Sequence, residues 1–188
     1  MNLSWWEIDS WFSDVNYTVV GSGIVGLHVA LRLHERFPEA KILVLERGPL
    51  PQGASTKNAG FACFGSLSEI MDDLNTHTEE EVISLIQKRW QGLQLLRKRL
   101  GDAAIDFRPH GGYELFTEDD TAGYESCLRR MPFVNEVLRP LFNAEVFTKE
   151  VDRFGFKGTK EYLIFNPFEG QIDTGRMMQA LLRQAHAA

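Results

Sequence analysis

The sequence predicts an α/β fold whose first part is a dinucleotide-binding domain, and three observations carry that reading. A short β-prone run, Tyr17-Thr18-Val19-Val20, leads into Gly21-Ser22-Gly23-Ile24-Val25-Gly26. A helical run follows, and then a second β-prone run, Lys41-Ile42-Leu43-Val44-Leu45. That run ends on Glu46, twenty positions after Gly26. Strand, glycine turn, helix, strand and terminal carboxylate at this spacing make the unit that cradles a pyrophosphate.

Each part has a mechanical job. Tyr17 to Val20 is short and β-prone, as a buried first strand should be. Gly21 allows the sharp turn out of it, and Gly23, with no Cβ, lets a pyrophosphate approach the backbone. Gly26, and small Ala30 on the same helical face, let the helix lie close to the sheet. The helix N-terminus points free N–H groups and a partial positive charge at the phosphates, each contact worth about 0.3–1 kcal/mol. Glu46 stands where a carboxylate accepts both hydroxyls of an adenosine ribose and repels a 2'-phosphate, which disfavours NADP. A merely structural, glycine-rich βαβ unit would leave Glu46 without a role.

The whole chain bounds the answer. Its 188 residues are 44% hydrophobic, enough for one domain with a real core or one domain with a small insertion. A net charge of −6, with no basic block, argues against a nucleic-acid partner. Cys63 and Cys127 are the only cysteines and make neither a disulfide framework nor, with the scattered histidines, a metal site. The N-terminus lacks a basic segment followed by an apolar core, and no run approaches the length of a membrane span. The expectation is a cytoplasmic protein with no transmembrane segment.

Leu3 to Phe12 contains Trp5, Trp6, Trp11 and Phe12, which predicts an arm packed on the domain rather than a free tail. Ile24 to Phe37 is the dinucleotide helix, stopped by Pro38; His28 and His34 on it are surface or packing residues. Beyond the second strand comes Gly53-Ala54-Ser55-Thr56-Lys57-Asn58-Ala59-Gly60, continuing to Ser66. Its small residues allow close approach of a flat ligand. Ser55, Thr56 and Asn58 bring side-chain donors, and Lys57 brings positive charge. The plain alternative is a surface loop; following a dinucleotide unit, the ligand-binding reading is favoured.

The residues from Tyr17 to Gly65 resemble the N-terminal part of the D-amino-acid oxidase superfamily of FAD-dependent oxidoreductases, which includes glycine and sarcosine oxidases and D-amino-acid dehydrogenases. Gly21 to Gly26 with Ala30, Glu46-Arg47-Gly48, and Gly53 to Gly60 carry the resemblance. It implies a Rossmann-like FAD-binding domain with an inserted α+β substrate domain. It implies FAD contacts at Gly21, Ser22, Gly23, Ile24, Val25, Gly26, Glu46 and Arg47, and at Ser55, Thr56, Lys57, Asn58, Ala59 and Gly60 near the flavin. Some relatives attach flavin through a histidine in this loop; none stands here, so non-covalent FAD is implied, with Cys63 a lesser alternative.

Leu67 to Leu74 is a short helix and Thr78 to Leu100 a long one. Thr78 and Glu81 form a capping box, acids fill the first turn, and Arg97, Lys98 and Arg99 the last. Val82, Ile86, Trp90, Leu93, Leu96 and Leu100 make one apolar stripe, and Gly101 ends the helix. Ile105 to Arg108 and Gly112 to Phe116 are expected strands, Glu118 to Leu141 a helix interrupted at Pro132, and Ala144 to Phe147 and Tyr162 to Phe165 further strands. Asp173 or Thr174 caps a last helix. The resemblance divides the chain into an FAD-binding domain, residues 1–104 and 166–188, around part of a substrate domain, residues 105–165.

In this superfamily a hydride equivalent passes from the carbon bearing an amine to flavin N5. The resemblance therefore implies oxidation of an amino acid or another amine, with oxygen or a quinone as acceptor. It covers nearly all of this chain but only about the N-terminal half of such enzymes, which implies a fragment, a truncated frame or one part of a split enzyme. Arg108, His110 and Tyr113 are ordinary strand-end residues, and no catalytic residue is assigned. Two other readings stay open: an NAD-dependent dehydrogenase, which needs Gly21, Gly23, Gly26 and Glu46 but not the Gly53 loop, and a non-catalytic dinucleotide-binding fragment.

Overall fold

The computed structural model describes residues 3–188. The chain runs α1 (Trp5–Glu7), β1 (Tyr17–Val20), α2 (Ile24–Arg36), β2 (Ile42–Leu45), α3 (Ala54–Lys57), β3 (Phe61–Ala62), α4 (Leu67–Thr76) and α5 (Glu79–Leu100). It continues through α6 (Asp102–Ile105), β4 (Gly112–Glu114), α7 (Thr121–Phe142), β5 (Thr148–Val151), β6 (Tyr162–Asn166), β7 (Gly170–Gln171) and α8 (Thr174–Ala187). These elements gather into two compact units.

The first unit holds residues up to Gly60, Ala103–Asp106 and Asp173–Ala188. Strands β1 and β2 pair in parallel, Tyr17 opposite Ile42 and Val20 opposite Leu45, with α2 as the crossover. Leu27, Ala30 and Leu31, spaced at three and four along α2, are its buried face. The helix α8 packs on α2 and α3 and buries Met177, Met178 and Leu181. Asp173 caps it, accepting from the Arg176 N–H at 2.9 Å.

The N-terminal arm differs from expectation. Trp5 and Trp6 are 69% and 75% exposed, and Trp11 and Phe12 are also exposed. The segment does form structure: Ser4 and Glu7 make a capping box, α1 runs into a π-helical turn over Ile8–Phe12, and Lys41 Nζ donates to the Ser10 and Ser13 carbonyls at 2.7 Å. Polar contacts hold the arm, and its rings face solvent.

The second unit holds Phe61–Asp102 and Phe107–Ile172. Its core gathers Phe64, Leu67 and Ile70 around α4, Val82 and Ile86 of α5, and Val134 and Leu138 of α7, all nearly solvent-free. Both capping boxes form, Ser66 with Glu69 on α4 and Thr78 with Glu81 on α5. A three-stranded antiparallel sheet has the order β4-β6-β5, and β3 pairs antiparallel with β7. Asn135, buried in α7, donates to the Phe147 carbonyl at 2.9 Å and accepts the Val146 and Phe147 N–H groups at 3.1 and 2.9 Å. The clamp takes the Val146 and Phe147 N–H groups and the Phe147 carbonyl, and the strand forms beyond the expected 144–147, at Thr148–Val151.

Two more expectations change. Residues 102–105 make a helical turn, and only Arg108 bridges to Gln171, so no strand spans 105–108. The helix α7 runs unbroken through Pro132 and Pro140. The compact division falls after Gly60, with α4 and α5 in the second unit.

Candidate functional site

The glycine turn fits its sequence. Gly21 leaves β1 at φ +95°, a backbone conformation that side chains disfavour, and its N–H bonds the Leu45 carbonyl at 2.7 Å. At Gly26 a Cβ would lie 1.9 Å from the Gly21 carbonyl oxygen and 3.3 Å from Val19 Cγ1. The third glycine is therefore required by the close approach of α2 to the turn and strand below it. A Cβ on Gly23 would sit 3.2 Å from Ser55 Oγ.

Glu46, just past β2, faces back to that turn. Its Oε2 accepts from the Ser22 N–H at 2.9 Å and from the Ser22 hydroxyl at 2.8 Å. Its Oε1 accepts a longer bond, 3.3 Å, from the Gly48 N–H. The Ser22 N–H first, then the Ser22 hydroxyl and the Gly48 N–H, hold the carboxyl below its ordinary pKa, so it is charged at neutral pH. Glu46 and Arg47 line a cleft of about 290 Å³ with Val20, Gly21, Gly23 and Gly53.

The Gly53–Gly60 segment forms α3 and its flanks. Ser55 Oγ accepts the Ile24 N–H at 3.0 Å, capping the first turn of α2. Thr56 Oγ1 donates within its own loop, to the Gly53 carbonyl at 3.2 Å. Asn58 Nδ2 donates to the Ala54 and Ser55 carbonyls at 3.1 and 3.2 Å, and its Oδ1 accepts the Gly60 N–H at 2.9 Å. Lys57 and Ala59 are exposed, as is Val25 on α2. The structure thus joins Gly21, Gly23, Glu46 and Arg47 around one cleft, ties Ser22 and Ser55 to it through Glu46 and Ile24, and leaves Thr56 and Asn58 bonded within their loop.

Sequence reasoning missed Pro51 and Gln52, which also line the cleft. The available signal was position alone, since they join Arg47 to Gly53. It also gave Ser22 no link to Glu46, because that position of the glycine motif accepts many residue types.

A parallel βαβ unit with a glycine turn, a charged carboxylate at the end of its second strand and a cleft between them defines a dinucleotide-binding protein. A family model described as FAD dependent oxidoreductase (DAO) matches residues 16–188, and the chain belongs to that family. FAD is accordingly its cofactor, and the NAD-dependent alternative is set aside. No curated protein sequence matches the chain. Among solved structures it is similar to L-amino acid deaminase from Proteus myxofaciens in complex with anthranilate, at 18% identity and TM-score 0.66, covering 93% of this chain and 37% of that one. Glycine oxidase from Geobacillus kaustophilus is 18% identical with TM-score 0.59, covering 91% of this chain and 44% of that one. Iminodiacetate oxidase from Chelativorans sp. BNC1 is 16% identical with TM-score 0.61, covering 92% and 44%. At these identities the likeness is one of fold, and the chain spans 37–44% of the length of these three structures.

The residues present fit the adenosine end of FAD. The charged Glu46 borders the cleft, the turn leaves no room for a Cβ at Gly26, and the cation Arg47 also lines the cleft. No helix among the described residues is long and apolar enough to cross a membrane.

Proposed function

We propose that this chain binds FAD non-covalently and serves an oxidoreductase that oxidises the C–N bond of an amino acid or another amine. The observation that carries the reading is the Glu46 cleft, lying within the stretch that matches the FAD dependent oxidoreductase family. Glu46 takes the adenosine ribose, the Gly21–Gly26 turn takes the pyrophosphate, and Ser55 to Gly60 continue toward the flavin. Bound FAD would supply a two-electron acceptor for the carbon bearing the amine. The chain's own work is to bind and orient: a charged carboxylate accepts ribose hydroxyls and turns away a 2'-phosphate.

The similar structures, an L-amino acid deaminase and a glycine oxidase, support the substrate class. Oxygen or a quinone would be the acceptor, and the setting would be cytoplasmic. Residues 1–104 and 166–188 would serve FAD and 105–165 the substrate. Non-covalent attachment is supported at Cys63: the residue is exposed, yet desolvation of its thiol, with Glu169 and Glu69 adding to it and Arg89 opposing, raises the thiol pKa and favours the neutral form.

The test is an absorption spectrum of the purified chain, reconstituted with FAD and then denatured by acid. Flavin bands that pass to the supernatant are expected. Colour that stays with the precipitate would overturn the non-covalent reading. A folded, colourless chain that binds NADH instead would overturn the flavin reading.

A further inference from the structure

We propose that Ser22 is a positioning residue for FAD: through its bonds to Glu46 it fixes the carboxylate in the orientation that the ribose needs. The inference rests on the flavin reading above and goes beyond it by giving a role to a motif position of free residue type.

Four observations support it. Ser22 is 5% exposed, a buried hydroxyl whose bond goes to Glu46. Backbone and side chain of this one residue both donate to a single oxygen, Oε2, at 2.9 and 2.8 Å. Two donors on one oxygen fix the plane of the carboxyl as well as its charge. The longer 3.3 Å bond from Gly48 leaves Oε1 the less engaged oxygen. Glu46 meanwhile borders the cleft, so the group Ser22 holds is one a ligand can reach.

The charge follows the same contacts. Both Ser22 donors stabilise the ionised carboxyl, with smaller help from the Gly48 and Arg47 N–H groups. Arg47, next in the chain, also lines the cleft. Removing the Ser22 hydroxyl therefore raises the Glu46 pKa, and the site loses its charge earlier as pH falls.

The experiment measures FAD and ADP affinity from about pH 4 to about pH 8, bracketing the ordinary glutamate pKa. It compares the wild-type chain, Ser22→Ala, Ser22→Thr, Glu46→Ala and the double variant Ser22→Ala/Glu46→Ala. Ser22→Ala should weaken both ligands about three- to tenfold, the net scale of one ordinary hydrogen bond. It should also move the acid limb of binding upward in pH, and Ser22→Thr should restore both. In the Glu46→Ala background, Ser22→Ala should change nothing further. Carbon-13 titration of the Glu46 carboxyl, with no ligand present, should show its pKa higher in Ser22→Ala.

A wild-type chain that binds neither FAD nor ADP overturns the flavin reading and this proposal with it. A chain that binds both, with Ser22→Ala equally harmful at every pH and undiminished when Glu46 is gone, overturns the proposal alone. So does an unchanged Glu46 titration. Thermal melting of each variant separates these results from loss of fold.

Discussion

At the scale of single residues, the charges that matter are set by what surrounds them. Glu169 lies just before β7, and its Oε1 is buried without a partner. Burial pushes its pKa up to about 7, Glu69 and Glu114 push the same way, and N–H bonds from Phe64 and Gly65 only partly oppose them. A carboxyl raised in the fold holds its proton there while the unfolded chain has lost it. Its stabilisation is complete below the unfolded value of 4.5 and is lost as pH rises through about 7. We expect the second unit to lose about 2 kcal/mol across that window, allowing for solvent that reaches the carboxyl. Glu169→Gln, which imitates the protonated acid, should flatten the loss. Chemical denaturation at a series of pH values checks it, and equal slopes in the two proteins would refute it. Residues such as Glu169 and Asn135 are not legible in the sequence, because their partners come from distant segments. Glu46, Gly21 and Gly26 are legible, because their function is fixed by spacing along one short unit.

At the scale of elements, local chemistry was readable wherever both halves of a contact sit within one turn. The boxes of Ser66 with Glu69 and Thr78 with Glu81 form as the sequence indicates. The expectation fails at Pro132 because a proline's effect depends on which face of the helix it occupies. Pro132 and Pro140 are exposed, while Val134, Asn135, Val137 and Leu138 are buried on the opposite side. The carbonyl that loses its N–H partner therefore meets water, and packing of the inner face offsets the cost. Pro132→Ala restores a helical N–H at an exposed position without removing core volume. It should stabilise the second unit by roughly 1–3 kcal/mol, up to the cost of proline in a helix interior. A melting temperature that stays level or falls would mean that Pro132 costs the helix nothing where it stands. The N-terminal arm failed for a related reason: composition counts its tryptophans, but gives no direction to them.

At the scale of the whole molecule, five alternating segments build the two units, so neither is continuous in sequence. The first unit begins in the first sixty residues and takes in α8 from far along the chain. That helix packs on both α2 and α3, the two elements that carry the glycine turn and the Ser55 loop, and Leu181 on it is fully buried. Ser55 in turn caps α2 through Ile24. Removing residues 174–188 uncovers the apolar face on which α2 and α3 meet α8, while the core of the second unit, from Phe64 to Ile164, loses none of its members. Hydrogen exchange on a chain ending at Asp173 should show α2 and β1 unprotected and α5 and α7 protected. FAD affinity should fall at least tenfold, because the turn and the Ser55 cap lose the support that holds them together. If α2 stays protected and FAD binds normally, β1, α2 and β2 are a sufficient dinucleotide unit by themselves. If α5 and α7 lose protection as well, the two units fold as one cooperative whole, and the division seen in their packing is not a division in stability.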